Sequence, residues 1–399
     1  MRGKRAPVHT LLDDPSQPAI ELITSRDGLS LVGRRQRLEV EEERRSAQVV
    51  ENDVHEGDDA RAYVFPAMWA GESTLFMAFN RGKRSVVLDL SAAAGRAALA
   101  DLARRADVLI ENFRPGVMAR LGLDYATLAA LNPRLVYCSV SGFGDAGPLA
   151  QAGANDLVAQ AASGLMALNP APDGRPQKVA PAVVDLFTAT NAVVAILAAL
   201  RERDATGRGR HVTTSLFECG LALLSYFATG AFAERAAGRA SDMAAQARAT
   251  ITVPNQAFRC ADGWIVVACS NDAMFRRLAA GLDRPALADD ARFRTNADRT
   301  AHRAALIALL DDAFSRDTRT AWTERLGAQK VSVAAVMTPE EALDSPQAAS
   351  LDIVRAPAHP RLAQYRTVAA PFRLDGERPL AELPPPALGG RTLQEGSSR

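Results

Sequence analysis

Cysteine is scarce in this chain of 399 residues. The four present, Cys138, Cys219, Cys260 and Cys269, form no CxxC pair and no Cys/His ligand spacing. That excludes a disulfide scaffold and argues against a zinc site, the more so because the histidines are few and scattered. No excess charge exists either. Lys and Arg total 47 against 46 Asp and Glu, so no global field draws the protein to nucleic acid or an anionic membrane. The longest apolar stretch, around Ala192 to Leu200, falls far short of the roughly 20 residues that span a bilayer. The basic N-terminus is not followed by an apolar segment, so no secretory signal is read. A cytoplasmic protein without a membrane or nucleic-acid partner is expected. No GxSxG elbow, Walker A loop or nicotinamide fingerprint is read. The usual serine hydrolase, nucleotide hydrolase and dehydrogenase are disfavoured accordingly.

What is present alternates strand and helix. Ser85-Val-Val-Leu-Asp-Leu90 reads as a strand, 92–105 as an amphipathic helix and Asp107-Val-Leu-Ile-Glu111 as a buried strand. Leu135–Val140 is a third strand after a helix near 125–131. Such βαβ repetition predicts a doubly wound parallel α/β sheet with right-handed connections. Helices follow at 156–168 and 184–203, the latter closed by Thr206-Gly-Arg-Gly209, with a strand at 211–217. A hairpin turning at Ala-Asp-Gly263, then helices near 272–282, 299–314 and 318–327, predict a smaller α+β domain. The expected division is an atypical segment 1–56, a large domain 57–232, a linker 233–255, a small domain 256–340 and a return segment 341–399. Within the first, Leu38-Glu-Val-Glu-Glu-Glu-Arg-Arg45 is a charge run that reads as disordered or weakly helical.

Four features carry candidate chemistry. Asp185 stands at the mouth of the long apolar helix, either as a cap or as a nucleophile held from water. Asp156, 29 residues earlier, pairs with it as a helper or simply caps its own helix. Asn112-Phe-Arg-Pro-Gly116 follows a buried strand, where open α/β sheets bind ligands, or is a plain turn. Asn80-Arg-Gly-Lys-Arg-Ser85 puts Arg81, Lys83 and Arg84 around a glycine, as a phosphate site or a solvated basic loop.

Taken in order, these segments resemble the class III CoA-transferases, the formyl-CoA and carnitine CoA-transferase type (CaiB/BaiF). The matching pieces are Phe79–Leu90, Glu111-Asn-Phe-Arg-Pro-Gly116, Leu131-Asn-Pro-Arg-Leu-Val136, Ser141-Gly-Phe-Gly-Asp145 and Asp156-Leu-Val-Ala-Gln-Ala-Ala-Ser-Gly164. Asp185, Thr206-Gly-Arg-Gly-Arg-His-Val212, Gln256-Ala-Phe-Arg, Asp262-Gly-Trp, Asp289–Asn296 and Pro385-Pro-Ala-Leu-Gly389 continue it. The resemblance covers about 57–393. It implies CoA transfer from an acyl-CoA to a carboxylic acid, with Asp185 as nucleophile through an aspartyl anhydride and an aspartyl-CoA thioester. Asp156 is then a helper. Leu88, Asn112 and Phe113 match positions lining the CoA site, with Arg114 beside them and Arg81, Lys83 and Arg84 in the matching basic loop. No permanent cofactor or metal is implied; the CoA thioester is the substrate, and an interlocked homodimer is expected. In the related α-methylacyl-CoA racemases a histidine precedes the residue matching Asp156. Here that residue is Asn155, which carries no proton at neutral pH and favours transfer over isomerisation. Two departures stand out. No clear glycine run occupies 240–254, where the family shields its intermediate. The family's first βα unit is not recognisable in residues 1–50, which opens the alternative of an inactive CoA-binding member.

Overall fold

The computed structural model describes residues 21–24, 47–51, 58–64, 66–248, 252–379 and 384–387. It forms two compact units, Met1–Tyr226 with Ile353–Arg399, and Phe227–Asp352. The sequence places the corresponding breaks at 232/256 and 340/341. A helix, Ser225–Ala236, runs through the first break, and a second, Met243–Arg248, lies inside the expected linker.

The first unit is built on six strands: β1 (Glu21–Thr24), β2 (Ala47–Glu51), β3 (Lys83–Val87), β4 (Val108–Glu111), β5 (Val136–Ser141) and β6 (His211–Ser215). Their spatial order is β3-β2-β1-β4-β5-β6, and every pairing is parallel. The order turns around at β1, next to β4. Two of these strands, β1 and β2, lie within the segment 1–56 that the sequence marks as atypical. Glu21–Thr24 pairs with both β2 and β4, so the central position of the sheet is filled. The charge run 38–45 lies outside the described residues.

Alternation explains the packing. In β4 and β5, Leu109 and Tyr137 join one core with α1 (Ala93–Arg105) and α2 (Tyr125–Leu131). Their neighbours Val108, Ile110, Val136 and Cys138 join another with Ala192, Ile196 and Ala199. Strands buried on both sides are nearly continuous in apolar residues, and these are. The expected helix 156–168 is divided: α3 (Asp156–Ala162) stops before Gly164, at φ +88°, and a short turn of helix follows at Leu165–Leu168.

The long helix α4 (Val183–Thr206) buries Val184, Thr188, Ala192, Ile196, Ala199 and Arg203, a stripe at helical spacing. By length and composition it is long and apolar enough to cross a membrane, a correction to the expectation that no stretch is. Its buried stripe packs on β4 and β5, and 28% of the span is buried. Gly207, at φ +74°, caps its end and donates its N–H to Arg203 O at 2.8 Å. Gly209 then passes so close to β5 that a Cβ would lie 1.9 Å from the Leu135 carbonyl oxygen. Gly209→Ala is expected to cost about 3 kcal/mol, measured as a lowered urea midpoint at unchanged slope.

The second unit holds an antiparallel sheet of β7 (Asn255–Cys260), β8 (Gly263–Ala268) and β9 (Ser332–Ala335), in the order β9-β8-β7. Phe258, Ile265 and Val267 face its core, with Phe275, Phe314 and Trp322 from three covering helices.

Candidate active site

The Asp156 carboxylate meets the backbone of Asp185 beyond the C-terminal ends of β5 and β6. After β5 the chain turns at Gly142, where a Cβ would stand 2.7 Å from the Ala154 side chain. Asn155 then caps α3, its Oδ1 accepting the Val158 N–H at 3.1 Å. Asp156, the first residue of α3, is therefore not the cap of its own helix. It caps α4 instead. Its Oδ1 accepts the N–H of Val184 at 2.9 Å and of Asp185 at 3.3 Å, while Ala182, at the α4 N-cap position, offers no side-chain bond. Free N–H groups of a first turn need such a partner, and a negative charge suits the helix dipole there.

Asp185 is the third residue of α4 and half-buried. Its neighbour Val184 is fully buried with Ala159 and Leu216, which fixes the rotation of the first turn. The other oxygen of Asp156, Oδ2, accepts from Gln160 Nε2 at 2.6 Å. Both oxygens of Asp156 are thus engaged in holding backbone and side chain. Gln160 is a residue that sequence reasoning missed. Its signals are a glutamine one helical turn after an aspartate in an otherwise apolar helix.

The Asn112–Gly116 turn directly follows β4. Phe113 is buried, and its N–H donates to Glu111 Oε2 at 2.9 Å. Burial pushes the Glu111 carboxyl above the usual carboxylate range, against the hydrogen bonds from Ser139 and the Phe113 N–H. Asn112 is half-buried and Arg114 exposed. The Arg114 guanidinium lies against Gly153, where a Cβ would stand 3.1 Å from Nη2. Gln151 Nε2 donates to Pro115 O at 3.3 Å. These contacts join the turn to the loop that leads into Asn155 and Asp156. Leu88, just past β3, is buried in the same core as Phe113. Leu88, Asn112, Phe113 and Arg114 therefore stand at carboxyl ends of strands, where parallel sheets bind ligands.

The basic loop is placed otherwise. Lys83 opens β3 at its N-terminal end, is 3% exposed and donates to Asn80 Oδ1 at 3.1 Å. Arg81 donates to the Thr367 hydroxyl and, at 2.8 Å, to Val368 O, holding the returning chain. Tyr365 and Leu362 pack on Met77 beside it. Arg84 is the next residue of β3 and half-buried. The structure does not bring Arg81 and Lys83 to the carboxyl ends with Asn112.

Burial drives the Lys83 ammonium down to about 7 from 10.5, opposed by Asp58. Between those values the unfolded chain holds a proton that the folded chain lacks. Stability from this group therefore rises with pH across that window and is flat below it. In Lys83→Met this rise is expected to vanish, read from urea midpoints inside and below the window.

The glycines of Gly142-Phe-Gly-Asp-Ala-Gly147 do carry the spacing of a nicotinamide fingerprint after a strand, a correction to the expected absence. No helix opens on them, since the next begins at Asp156. The phosphate-binding helix N-terminus that gives this spacing its meaning is missing at these glycines. Among the described residues no group of three or more His, Cys, Asp or Glu could hold a metal.

An aspartate thus stands in a capped first turn beyond the carboxyl ends of a parallel α/β sheet, where such sheets bind ligands. Residues 46–392 match CoA-transferase family III. The chain belongs to this family and is an enzyme of its class. It is 39% identical over 305 residues to the acetyl-CoA:oxalate CoA-transferase of Acetobacter aceti, covering 75% of each chain. It is 40% identical over 252 residues to the succinate–glutarate CoA-transferase of Agrobacterium fabrum, covering 62% of each. Among solved structures, a CAIB/BAIF family protein from Brucella suis superposes with a TM-score of 0.77 at 30% identity, covering 94% of this chain and 96% of that one.

Proposed function

We propose that the enzyme moves CoA from an acyl-CoA donor to a carboxylic acid acceptor through covalent intermediates on Asp185. The observation that carries this reading is the first turn of α4, clamped by Asp156 at the N–H of Asp185 itself. A carboxylate needs no general base to act as a nucleophile, only correct aim and release from water. One Asp185 oxygen attacks the donor thioester carbonyl and CoA leaves as the thiolate, giving a mixed anhydride. The thiolate attacks the Asp185 carbonyl carbon and expels the donor carboxylate, giving an aspartyl-CoA thioester. The acceptor carboxylate attacks that thioester, forming a second anhydride and freeing the thiolate. The thiolate then takes the acceptor acyl group and Asp185 returns as a carboxylate. Asp156 helps by orientation. Leu88, Asn112, Phe113 and Arg114 line the CoA path, and no permanent cofactor takes part.

The isomerase reading lacks its proton carrier, because Asn155 occupies that position as a helix cap. The pairing of β1 with β2 and β4 supports an intact sheet over an inactive member. A doubly wound sheet, a cytoplasmic setting and a homodimer accompany the proposal. The dimer draws support from large apolar side chains left exposed, Val194 at 61% and Leu197 at 51% on α4, and Tyr226 at 67%. Light scattering giving twice the chain mass is the expected result.

The mechanism is tested by incubating the protein with a panel of acyl-CoAs, trapping with hydroxylamine or borohydride, and mapping modified peptides by mass spectrometry. Acetyl-CoA and succinyl-CoA, with oxalate, succinate and glutarate as acceptors, start the panel because the two relatives' names contain them. Modification of the Asp185 peptide is expected. Turnover without any adduct at Asp185 under single-turnover conditions would overturn the covalent route.

A further inference from the structure

We infer that Gln160 is a positioning residue for the transfer reaction, setting the turn that carries Asp185 by way of Asp156. The inference rests on reading Asp185 as the nucleophile.

Gln160 is 0% exposed. A buried amide is costly unless its groups are paired. Here the Oε1 accepts the Val179 N–H at 2.9 Å. The Nε2 donates to Val179 O at 3.2 Å and to Asp156 Oδ2 at 2.6 Å. These bonds fix which way the amide points, because only its oxygen can accept the Val179 N–H.

The side chain therefore grips two things at once. One is Val179, the stretch of chain that enters α4 just before Asp185. The other is the carboxylate that caps α4 through the N–H groups of Val184 and Asp185. Remove the amide, and Asp156 loses the bond that fixes its rotation while the entering chain loses its anchor. A hydrocarbon of equal size keeps the core filled but leaves Asp156 Oδ2 and the Val179 backbone groups unpaired. The effect falls on the aim of Asp185, and a displacement near 1 Å can cost about 10²-fold in rate.

The experiment compares wild type, Gln160→Met, Gln160→Glu and Asp185→Asn. It records kcat and KM for the acyl-CoA across pH, with thermal melts as a folding control. Gln160→Met is expected to fold and to lose about 10²-fold in kcat, with KM for the donor changed by less than about 3-fold. Gln160→Glu supplies a donor only while the introduced carboxyl is protonated. Beside Asp156 and away from water, that carboxyl should hold its proton well above the usual carboxylate range. Its kcat is thus expected to fall as pH rises relative to wild type, and to recover in acid. Gln160→Met should show no such recovery.

Folded variants with kcat within about 3-fold of wild type at every pH overturn the inference, as does a kcat loss in Gln160→Glu that no pH restores. If Gln160→Met fails to fold, Gln160→Glu in acid decides. If neither folds at any pH, Gln160 is a folding determinant only and the assignment is overturned. Asp185→Asn separates the two readings. Activity surviving there removes the nucleophile itself, whereas a dead Asp185→Asn beside unimpaired Gln160 variants removes only this inference.

Discussion

Replacing Asp185 by asparagine is expected to lower CoA transfer by at least about 10³-fold and to abolish hydroxylamine trapping, while leaving the protein folded. The reasoning separates side chain from backbone. The N–H of Asp185 that Asp156 accepts at 3.3 Å belongs to the main chain and survives the change. Val184, which locks the turn into the core, is untouched. Asparagine is nearly isosteric, so the turn should keep its place. What disappears is a nucleophilic oxygen, since an amide does not attack a thioester. The loss of a negative charge in the first turn of α4 costs about 0.5 kcal/mol, too little to unfold the chain. The measurement is initial rate against the best donor and acceptor, with circular dichroism and melting as controls. Activity above about a tenth of wild type, with native folding, would show that Asp185 is not the attacking group.

Much of this architecture is legible in the sequence because its signals are periodic. Strands β3 to β6 and helices α1, α2 and α4 emerge within a few residues of their bounds, where apolar alternation is sustained. The N-terminal strand β1 does not. Glu-Leu-Ile-Thr is four residues long, with prolines before it and charges after it, and its place in the sheet depends on β2 and β4 far along the chain. Lys83 fails for another reason. Three cations around a glycine look alike whether they face solvent or a core, and only the packing places this one beside Asn80. The two aspartates show a similar limit. Each is a cap by local pattern, but Asn155 takes the local role and Asp156 reaches across to a neighbouring helix. Capping between helices leaves no spacing in the sequence.

That crossing makes Asp156→Asn a sharper change than it looks, and it is expected to lower kcat by about 10²-fold and stability by about 2 kcal/mol. An asparagine oxygen in the Oδ1 position still accepts from Val184 and Asp185. Its amino group then points at Gln160 Nε2, across a contact of 2.6 Å in the native protein. Two donors face each other. Turning the Gln160 amide over relieves that clash but presents its amino group to the Val179 N–H, which Oε1 accepts at 2.9 Å. Turning the new side chain over instead gives Gln160 its acceptor and takes one from both Val184 and Asp185. Every arrangement leaves at least one part-buried group unpaired, the costly case for hydrogen bonds. A double variant, Asp156→Asn with Gln160→Glu, tests the logic. The carboxylate now accepts from the asparagine amide and from the Val179 N–H, while the asparagine oxygen keeps the cap. Only Val179 O loses its Gln160 donor. Partial recovery of the melting temperature and of kcat, relative to Asp156→Asn alone, is the expected non-additive result. Strictly additive losses in the double variant would mean that Asp156 acts by its charge and not by its pattern of donors and acceptors.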